Sequence, residues 1–360
     1  MQVADLALQR AKYKHLSDDE WRWFLQQVEG RERTAEKLPT FAAIPDWWYP
    51  VRLSCEQCSS ELAARYKASL VSGEKMVDLT GGYGVDTYFL SESFAHTDYV
   101  EQNAELCRIA THNFTGKPIA IYNTSAEAFL QTAGQYDLIF LDPARRDSHG
   151  GKVFRLEDCT PNVVELLPSL LAHGKRLMIK LSPMLDLTQA ITSLSQVTWD
   201  IYVVAIKNEV KELLLLSGGS GKITAIDLDK KDQAFVFTRK EELLSTLSVS
   251  GLSTFDYLYE PSAAILKSGA YKLTAQRFGL HKLDVNTHLY SSDTFVPDFP
   301  GRVWKIVEKQ DLKQANVLCR NYPLTPEQLK KKLRLRDGGT DFVIGCRVAG
   351  KPTLFYAERV

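Results

Sequence analysis

The sequence predicts an α/β protein whose main sheet is parallel and ends in one reversed strand. From residue 76 onward, short apolar segments alternate with helix-length segments, and 199–217 has the pattern of two strands joined by a short polar turn. After about residue 220 the elements become shorter and less regular. Parallel neighbours need helix-sized crossovers, so the alternation indicates strand–helix–strand units. We therefore expect this sheet to be flanked by an N-terminal helical segment and a smaller α+β C-terminal region.

Length and charge set limits on the kind of protein. At 360 residues the chain is long enough for more than one domain, since a single core rarely grows past about 250 residues. Lysine plus arginine and aspartate plus glutamate both number 44, so nucleic-acid binding would need a local basic patch. No apolar run approaches the roughly 18 residues that suggest a membrane span, and the N-terminus lacks the pattern of a secretory signal. We expect a cytoplasmic protein with no membrane contact.

The six cysteines are scattered, and only Cys55 and Cys58 form a CxxC pair. A structural zinc ion needs four ligands, and no second pair follows at a suitable spacing. We therefore predict no metal site. Both thiols are expected in the first turns of one helix that runs from about Ser54 to Ser72.

Strong local signals define the elements in chain order. Ser17 and Glu20 form a capping box before a helical segment, and the aromatic residues at 21, 23, 24 and 47–49 are expected to form core rather than a binding surface. The last two strands of the main sheet are expected to pair as an antiparallel hairpin. The candidate strands are 76–80, 97–101, 118–122, 136–142, 174–181, 199–206 and 211–217.

The C-terminal part is predicted to contain shorter elements. Segment 222–242 has the pattern of a hairpin, 258–280 of two short helices and 302–309 of a strand. A capping box with proline at the first helical position starts a helix over 326–336, and a hairpin follows at 338–360. The predicted division is an N-terminal helical segment at 1–53, a main domain at 54–230, a small α+β segment at 231–295 and a last domain at 296–360.

The most informative segment is MVDLTGGYGVDTYFL, residues 76–90. A strand ends at Asp78, and glycines at 81, 82 and 84 then keep the backbone bare where a helix begins, which leaves room for a ligand. No Lys-Ser or Lys-Thr follows these glycines, which excludes a P-loop. Thr87 stands where a dinucleotide fingerprint would have its third glycine.

Polar residues also follow the other strands at the same edge of the predicted sheet. Glu101 ends the second strand, where it could accept both ribose hydroxyls of an adenosine or remain a solvated charge. The turn at Thr124 and Ser125 could flank an adenine or simply cap a helix. The fourth strand runs directly into Asp142 and Pro143, at the crevice where open parallel sheets bind ligands.

The order of DLTGGYGVD, Glu101, NTSAEAFL, LDPARR and the terminal hairpin resembles the class I S-adenosylmethionine-dependent methyltransferases over roughly residues 54–218. The resemblance implies a Rossmann-like sheet with S-adenosylmethionine as cofactor. It implies that Asp142 lies beside the transferring methyl group, with Pro143, Arg145 and Arg146 as further catalytic candidates. The implied cofactor-binding residues are Asp78, Thr80, Gly81, Gly82, Gly84, Asp86, Glu101, Ser125 and Ala126.

Two further resemblances indicate RNA as the substrate. The segment 55–70 resembles the helix that leads into the fold in RNA guanine-N2 methyltransferases. The region from 302 onward is similar to the THUMP-like domain of a bacterial RNA-methyltransferase-like group, in which it follows a small ferredoxin-like segment. One concentrated basic stretch lies there, and it could follow RNA phosphates or form a solvated helix face. Its members are Lys330, Lys331, Lys332, Arg334 and Arg336.

The turn after the fourth strand differs from that of many base-amino methyltransferases, which have a second proline and an aromatic residue there. In this chain Ala144 and Arg145 take those positions. A guanidinium can stack on a base or pair with a phosphate, and Lys180 is another candidate to hold an anionic edge. Ser182 stands where RNA 5-methyluridine enzymes need a nucleophilic cysteine, so we expect direct methyl transfer, most readily to a base of tRNA or rRNA.

Three alternatives to an RNA base methyltransferase remain open at the level of the sequence. One is a methyltransferase that acts on a protein or a small molecule. Another is a non-catalytic RNA-binding protein on a methyltransferase fold, against which the intact glycine turn, Glu101 and Asp142 argue. The last is a nicotinamide oxidoreductase, which the missing third glycine and the DPARR turn disfavour.

Overall fold

A computed structural model describes Leu6 and residues 10–145, 155–246, 249, 254–308 and 311–360. The chain divides into two units. The first comprises Met1–Trp199 with Leu214–Gly218, and the second comprises Asp200–Leu213 with Gly219–Val360. The boundary passes through two consecutive strands, Trp199–Ile206 and Glu209–Ser217, each of which contributes residues to both units.

Five parallel strands form the sheet of the first unit, in the spatial order β3-β2-β1-β4-β5. The order reverses between β1 and β4, and open α/β sheets bind ligands outside the carboxyl ends of the strands at such a point. The predicted parallel strands are confirmed. Their bounds are Gly73–Asp78 for β1, Phe94–Glu101 for β2, Ile119–Asn123 for β3, Tyr136–Leu141 for β4 and Gly174–Leu181 for β5.

The predicted hairpin is also present, as β6 (Trp199–Ile206) and β7 (Glu209–Ser217). Lys207 and Asn208 join the two strands with φ angles of 52° and 58°. Two consecutive residues with positive φ are characteristic of the tight turns that connect antiparallel strands. In the first unit, the end of β7 lies beside β5, where the Leu177 N–H donates to the Ser217 hydroxyl at 2.7 Å. The chain therefore reverses direction at the end of this sheet, as the sequence predicts.

Each parallel strand is followed by a helix, which fits the crossover connections expected of the sheet. Ser17 and Glu20 form the predicted capping box at the start of the first long helix. No helix in the described ranges is long and apolar enough to cross a membrane. The helices of the first unit are α1 (Asp18–Thr34), α2 (Pro39–Ala43), α3 (Arg52–Gln57), α4 (Glu61–Ser69), α5 (Val85–Leu90), α6 (Ala104–Asn113), α7 (Ala126–Leu130), α8 (Val163–His173) and α9 (Leu187–Ser193).

The prediction of one helix from Ser54 to Ser72 is wrong, because α3 and α4 are separate helices. Cys58 has extended backbone angles and ends α3, so it does not lie in a first helical turn. Ser60 then caps α4 by accepting a hydrogen bond from the Ala63 N–H. Between them, the Ser59 hydroxyl turns inward and donates to the Asp86 carboxylate at 2.7 Å. The local capping serine and this buried contact outweigh continuous helix propensity.

Aromatic residues of the N-terminal segment pack into the core of the first unit. Trp47 and Tyr49 are buried, and the Trp47 ring lies 4.0 Å from that of Phe41, measured between centroids. The Trp47 indole N–H donates to the Tyr83 hydroxyl at 2.9 Å, and Tyr83 belongs to the glycine turn. The expectation that Trp47 and Tyr49 form core is confirmed, and Trp48 is partly buried against the same cluster.

The second unit contains two sets of strands. In the first set, β8 (Lys222–Asp227) pairs in parallel with β6 and antiparallel with β9 (Phe235–Thr238), so the hairpin predicted at 222–242 is confirmed. In the second set, seven strands have the order β11-β12-β10-β13-β16-β15-β14. They are β10 (Tyr257–Pro261), β11 (His281–Asp284), β12 (Thr287–Ser292), β13 (Gly301–Val307), β14 (Asn316–Arg320), β15 (Asp341–Val348) and β16 (Lys351–Arg359).

The described part of the second unit contains four α-helices. Two of them confirm the short helices predicted within 258–280, but residues 258–261 belong to β10 instead of a helix. This short apolar segment is buried in the middle of a sheet, where it lacks the alternation that distinguishes a strand from a buried helix. The helices are α10 (Arg239–Leu244), α11 (Ala263–Ser268), α12 (Tyr271–Phe278) and α13 (Pro326–Leu333).

We predict that Trp47→Ala destabilises the first unit by about 3–5 kcal/mol, the usual cost of truncating a large buried aromatic residue. Urea unfolding followed by far-UV circular dichroism would measure this change. Leu243→Ala is the control, because Leu243 is 76% exposed and its truncation should cost no more than about 0.5 kcal/mol. Equal effects of the two substitutions would contradict the packing described for Trp47.

Candidate active site

A cavity of about 320 Å³ lies at the carboxyl edge of the first unit's sheet, where β1, β2 and β4 end. Its position coincides with the reversal of strand order between β1 and β4. Asp142 and Lys180 are part of its wall. The structure also brings together in this wall every residue predicted to bind the cofactor, namely Asp78, Thr80, Gly81, Gly82, Gly84, Asp86, Glu101, Ser125 and Ala126.

The glycine turn is compact because other groups approach its backbone closely. A Cβ atom on Gly81 would lie 2.1 Å from the Tyr99 ring, and the Tyr99 hydroxyl donates to the Gly82 carbonyl at 2.6 Å. Gly84 has a φ of 82° at the start of α5, a conformation that side chains disfavour. A Cβ atom on Gly82, in contrast, would meet nothing closer than the Thr80 carbonyl at 3.7 Å. The turn is therefore tight behind Gly81 and open at Gly82.

Glu101 fixes the glycine turn to the end of β2. One carboxylate oxygen accepts from the Gly82 N–H at 2.9 Å, and the other accepts from the Asn103 N–H at 2.8 Å. Each carboxylate oxygen has two lone pairs. Both oxygens can therefore accept a further hydrogen bond from a group that enters the cavity.

The polar turn after β3 is a helix cap. The Ser125 hydroxyl accepts from the Ala128 N–H at 3.2 Å and begins α7. Ser125 and Ala126 nevertheless form part of the cavity wall. The capping role proposed from the sequence is present, and it leaves the backbone of this turn at the cavity.

The predicted catalytic residues follow β4, and they differ in whether they belong to the cavity wall. The Asp142 N–H donates to the Thr80 hydroxyl at 2.6 Å, which ties the end of β4 to the turn after β1. Pro143 is buried and is not part of the cavity wall. Arg145 lies in a two-residue strand, Ala144–Arg145, that pairs with Cys159–Thr160, while Arg146 lies outside the described residues. Among these predicted catalytic residues, Asp142 is the one that the described structure places in the wall.

A buried cluster of charges connects Asp142 to the interior. The Lys180 ammonium lies 2.5 Å from Asp142 Oδ2 and 3.2 Å from Asp86 Oδ2, and it donates to the Ser59 hydroxyl at 3.1 Å. Lys67 is fully buried, 3.1 Å from Asp86 Oδ1. Burial opposes ionisation of Asp86, but the two ammonium groups outweigh it and lower the pKa of this carboxyl. Two cations and two carboxylates thus offset one another behind the cavity.

Asp78 is buried at the start of the glycine turn without a cationic partner among its hydrogen bonds. Its carboxylate accepts from the Thr87 hydroxyl at 2.6 Å and from the Thr80 N–H at 2.9 Å. Burial nevertheless raises the pKa of Asp78 to about 7. This carboxyl therefore changes its protonation state near neutral pH.

Part of this site could not be identified from the sequence. Lys67 lies on a helix, and its position in the sequence pattern does not distinguish it from a solvent-exposed lysine. Ser59 lies in a segment that appeared to continue a helix. Lys180 lies at a strand end like Asp142, and its contacts with the carboxylates of Asp86 and Asp142 depend on the fold.

The sheet with its reversed strand, the glycine turn and the acidic strand ends define a Rossmann-like class I methyltransferase fold. A solved structure from Porphyromonas gingivalis W83, described as a candidate methyltransferase, is 32% identical and covers 96% of this chain and 92% of its own, with a TM-score of 0.86. An S-adenosylmethionine-dependent methyltransferase of Mycobacterium tuberculosis, itself named uncharacterized, is 23% identical over 345 residues. That match covers 91% of this chain and 92% of the relative.

Two family models match the C-terminal part. A ferredoxin-like domain model matches residues 257–300, and a THUMP domain-like model matches residues 301–359. The chain belongs to the family of S-adenosylmethionine-dependent methyltransferases with a THUMP-like C-terminal domain. The predicted fold class, enzyme class and cofactor are thereby confirmed.

We predict that Asp78→Asn alters how stability depends on pH. In the wild type, the proton on Asp78 stabilises the folded state at low pH, and this contribution is lost as the pH rises from 3.8 through about 7. An amide keeps one acceptor for Thr80 and stays neutral. At each pH, the quantity to compare is the thermal midpoint of the variant minus that of wild type. This difference should be larger at pH 8 than at pH 5 by about 2 °C or more. An equal difference at both pH values would contradict the assignment.

Proposed function

We propose that this methyltransferase transfers a methyl group directly to a base in a structured RNA, such as tRNA or rRNA. The observation that carries the proposal is the combination of an acidic strand end, Asp142, in the cofactor-type cavity with a THUMP domain-like segment in the same chain. The first feature suits direct methyl transfer. The second feature favours RNA over other acceptors.

The residues around the cavity fit S-adenosylmethionine. The open backbone at Gly82 leaves room beside β1, and Glu101 would accept hydrogen bonds from the ribose hydroxyls while it still holds the turn. The turn at Ser125 and Ala126 would flank the adenine, and the segment from Asp78 to Gly84 would line the methionine end. When bound, the cofactor supplies a methyl group on a positively charged sulfur.

Asp142 would orient the acceptor in this mechanism. A carboxylate can accept a hydrogen bond from an N–H group of a base and so direct the nitrogen lone pair toward the methyl group. Such alignment can account for about 7–11 kcal/mol of the barrier. Ser182, not a cysteine, directly follows β5, and the proposed transfer therefore uses no covalent enzyme intermediate. The proton leaves the product nitrogen toward Asp142 or solvent after the methyl group has moved.

Lys180 would keep Asp142 in place. Its ammonium contacts Asp142 and is itself fixed by Asp86 and Ser59 at 3.2 Å or less. Lys67 holds the far side of Asp86. A buried charge that is paired on several sides has few alternative positions. Lys180 is therefore a positioning residue in this proposal, and Arg145 and Arg146 stay candidates to hold a substrate phosphate.

The THUMP domain-like segment contains a cationic helix that could contact RNA. Leu329 is buried and anchors α13, and Lys330 pairs with Asp337 at 2.7 Å. The other members of the basic stretch predicted from the sequence are exposed, namely Lys331, Lys332, Arg334 and Arg336. Exposed cations on one short segment can neutralise phosphates regardless of base sequence.

We predict that Glu101→Ala weakens binding of S-adenosylhomocysteine by about 10-fold or more, since a hydrogen bond to a charged group contributes about 1.5–3 kcal/mol. Isothermal titration calorimetry would measure the affinity. Glu105→Ala is the matched control, because Glu105 lies nearby on α6, pairs with Arg108 and is not part of the cavity wall. An unchanged affinity in Glu101→Ala would place the ribose elsewhere.

We further predict that Asp142→Asn lowers methyl transfer by about 100-fold, within the usual range for a group that acts on the acceptor's proton. Its affinity for S-adenosylhomocysteine should stay within threefold of wild type. The assay uses tritiated S-adenosylmethionine and separate RNA, protein and small-molecule fractions from cells that lack the gene. Glu165→Gln, an exposed carboxylate on α8, is the control. Label in the protein or small-molecule fraction alone would contradict an RNA substrate.

A further inference from the structure

A second cavity, of about 370 Å³, lies within the second unit. Its wall combines the β6–β7 turn, the segment after β8, the start of α11, the start of β13 and the end of β16. None of the residues assigned to methyl transfer is part of this wall. A cavity of this volume lies in the range of small-molecule binding sites.

The wall of this cavity contains more cationic than anionic side chains. Four are cations and two are carboxylates, so the wall has a positive excess. The cations are Lys207, Lys230, Arg302 and Arg359, and the carboxylates are Asp227 and Asp229.

The backbone of the β6–β7 turn engages both carboxylates. Asp229 accepts from the Lys207 N–H at 2.5 Å, and Asp227 accepts from the Asn208 N–H at 2.7 Å. Both turn residues have positive φ angles, a conformation that needs such support in residues other than glycine. The Asn208 side chain also accepts from the Ala263 N–H at 2.8 Å. These hydrogen bonds give both carboxylates a structural role in the turn.

Arg302 is a cation held in a fixed position. Its Nε donates to the buried Glu260 carboxylate at 2.7 Å, and the Arg320 Nε donates to the other oxygen of Glu260 at 2.5 Å. Two guanidinium groups thus share one buried carboxylate. The pair of arginines retains a net positive charge beside the cavity.

The other two cations extend this excess. Lys230 and Arg359 are exposed, and neither has an ion pair with any residue that the structure describes. Lys230 comes from the segment after β8 and Arg359 from the end of β16, which are far apart in the chain. The fold therefore assembles separate cations around one concave site.

We propose that this cavity binds a phosphate group. Guanidinium and ammonium groups that converge on a concave site suit phosphate oxygens, since each cation donates charge-assisted hydrogen bonds. Asp227 and Asp229 keep the turn in shape, while Lys230 and Arg359 supply exposed cationic groups to the same concave site. The phosphate can belong to the backbone of an RNA or to a free phosphorylated molecule. The site does not depend on the proposed methyl acceptor.

Calorimetry on the full chain, with S-adenosylhomocysteine at saturation to fill the first cavity, tests the proposal with inorganic pyrophosphate as probe. The double variant Lys230→Ala/Arg359→Ala should bind pyrophosphate at least 10-fold more weakly than wild type. Lys240→Ala/Lys351→Ala is the matched control, because it removes two exposed cations of the same unit that do not line the cavity. Unchanged thermal midpoints would show that both variants remain folded.

A second arm measures binding of a labelled 12-nucleotide single-stranded RNA across salt concentrations. If the phosphate belongs to RNA, the slope of log affinity against log salt should become shallower by about 0.7 in the cavity variant, the contribution of one phosphate contact for a single strand. A pyrophosphate effect without this change supports a free phosphorylated ligand. No difference between the cavity and control variants in either arm overturns the proposal. A lack of RNA methylation would count against the proposed function, and it would leave the proposal of a phosphate site unchanged.

Discussion

The ion cluster around Asp86 fixes the geometry of the cavity at the carboxyl ends of β1, β2 and β4. Asp86 lies in the first turn of α5, just after the glycine turn. Lys67 comes from α4, Ser59 from the break between α3 and α4, and Lys180 from the end of β5. A buried carboxylate requires partners of this kind, because an unpaired charge in the interior is strongly destabilising. The cluster thus fixes four parts of the chain relative to one another, and Asp142 joins it from β4.

Separate hydrogen bonds hold the glycine turn in place, while its backbone at Gly82 stays open. Glu101 and Tyr99 hold the glycine turn from β2, while Thr80 bonds to the end of β4. The turn is consequently braced from both neighbouring strands. A backbone fixed in this way can approach a cofactor closely without closing over the space that the cofactor needs.

The sequence was most informative where a structural requirement leaves a local pattern. The parallel strands, the hairpin turn and the glycine turn follow from alternation, turn chemistry and strand ends, and they led to the cavity residues from Asp78 to Ala126. The break at Ser59 and the burial of Lys67 depend on contacts with residues distant in the chain, so no local pattern predicts them. In the second unit, β10 was missed because a buried strand without alternation resembles a buried helix.

We propose that Lys180 and Asp142 act as one unit in methyl transfer. A double-mutant cycle with Asp142→Asn, Lys180→Met and the combined variant tests it most directly, with methyl transfer to RNA as the measured rate and S-adenosylhomocysteine affinity as a check on the cofactor site. If Lys180 acts by positioning Asp142, the double variant should be no slower than Asp142→Asn alone, because residues that act as a unit are not additive. Losses that multiply in the double variant would instead show that Lys180 has a role independent of Asp142.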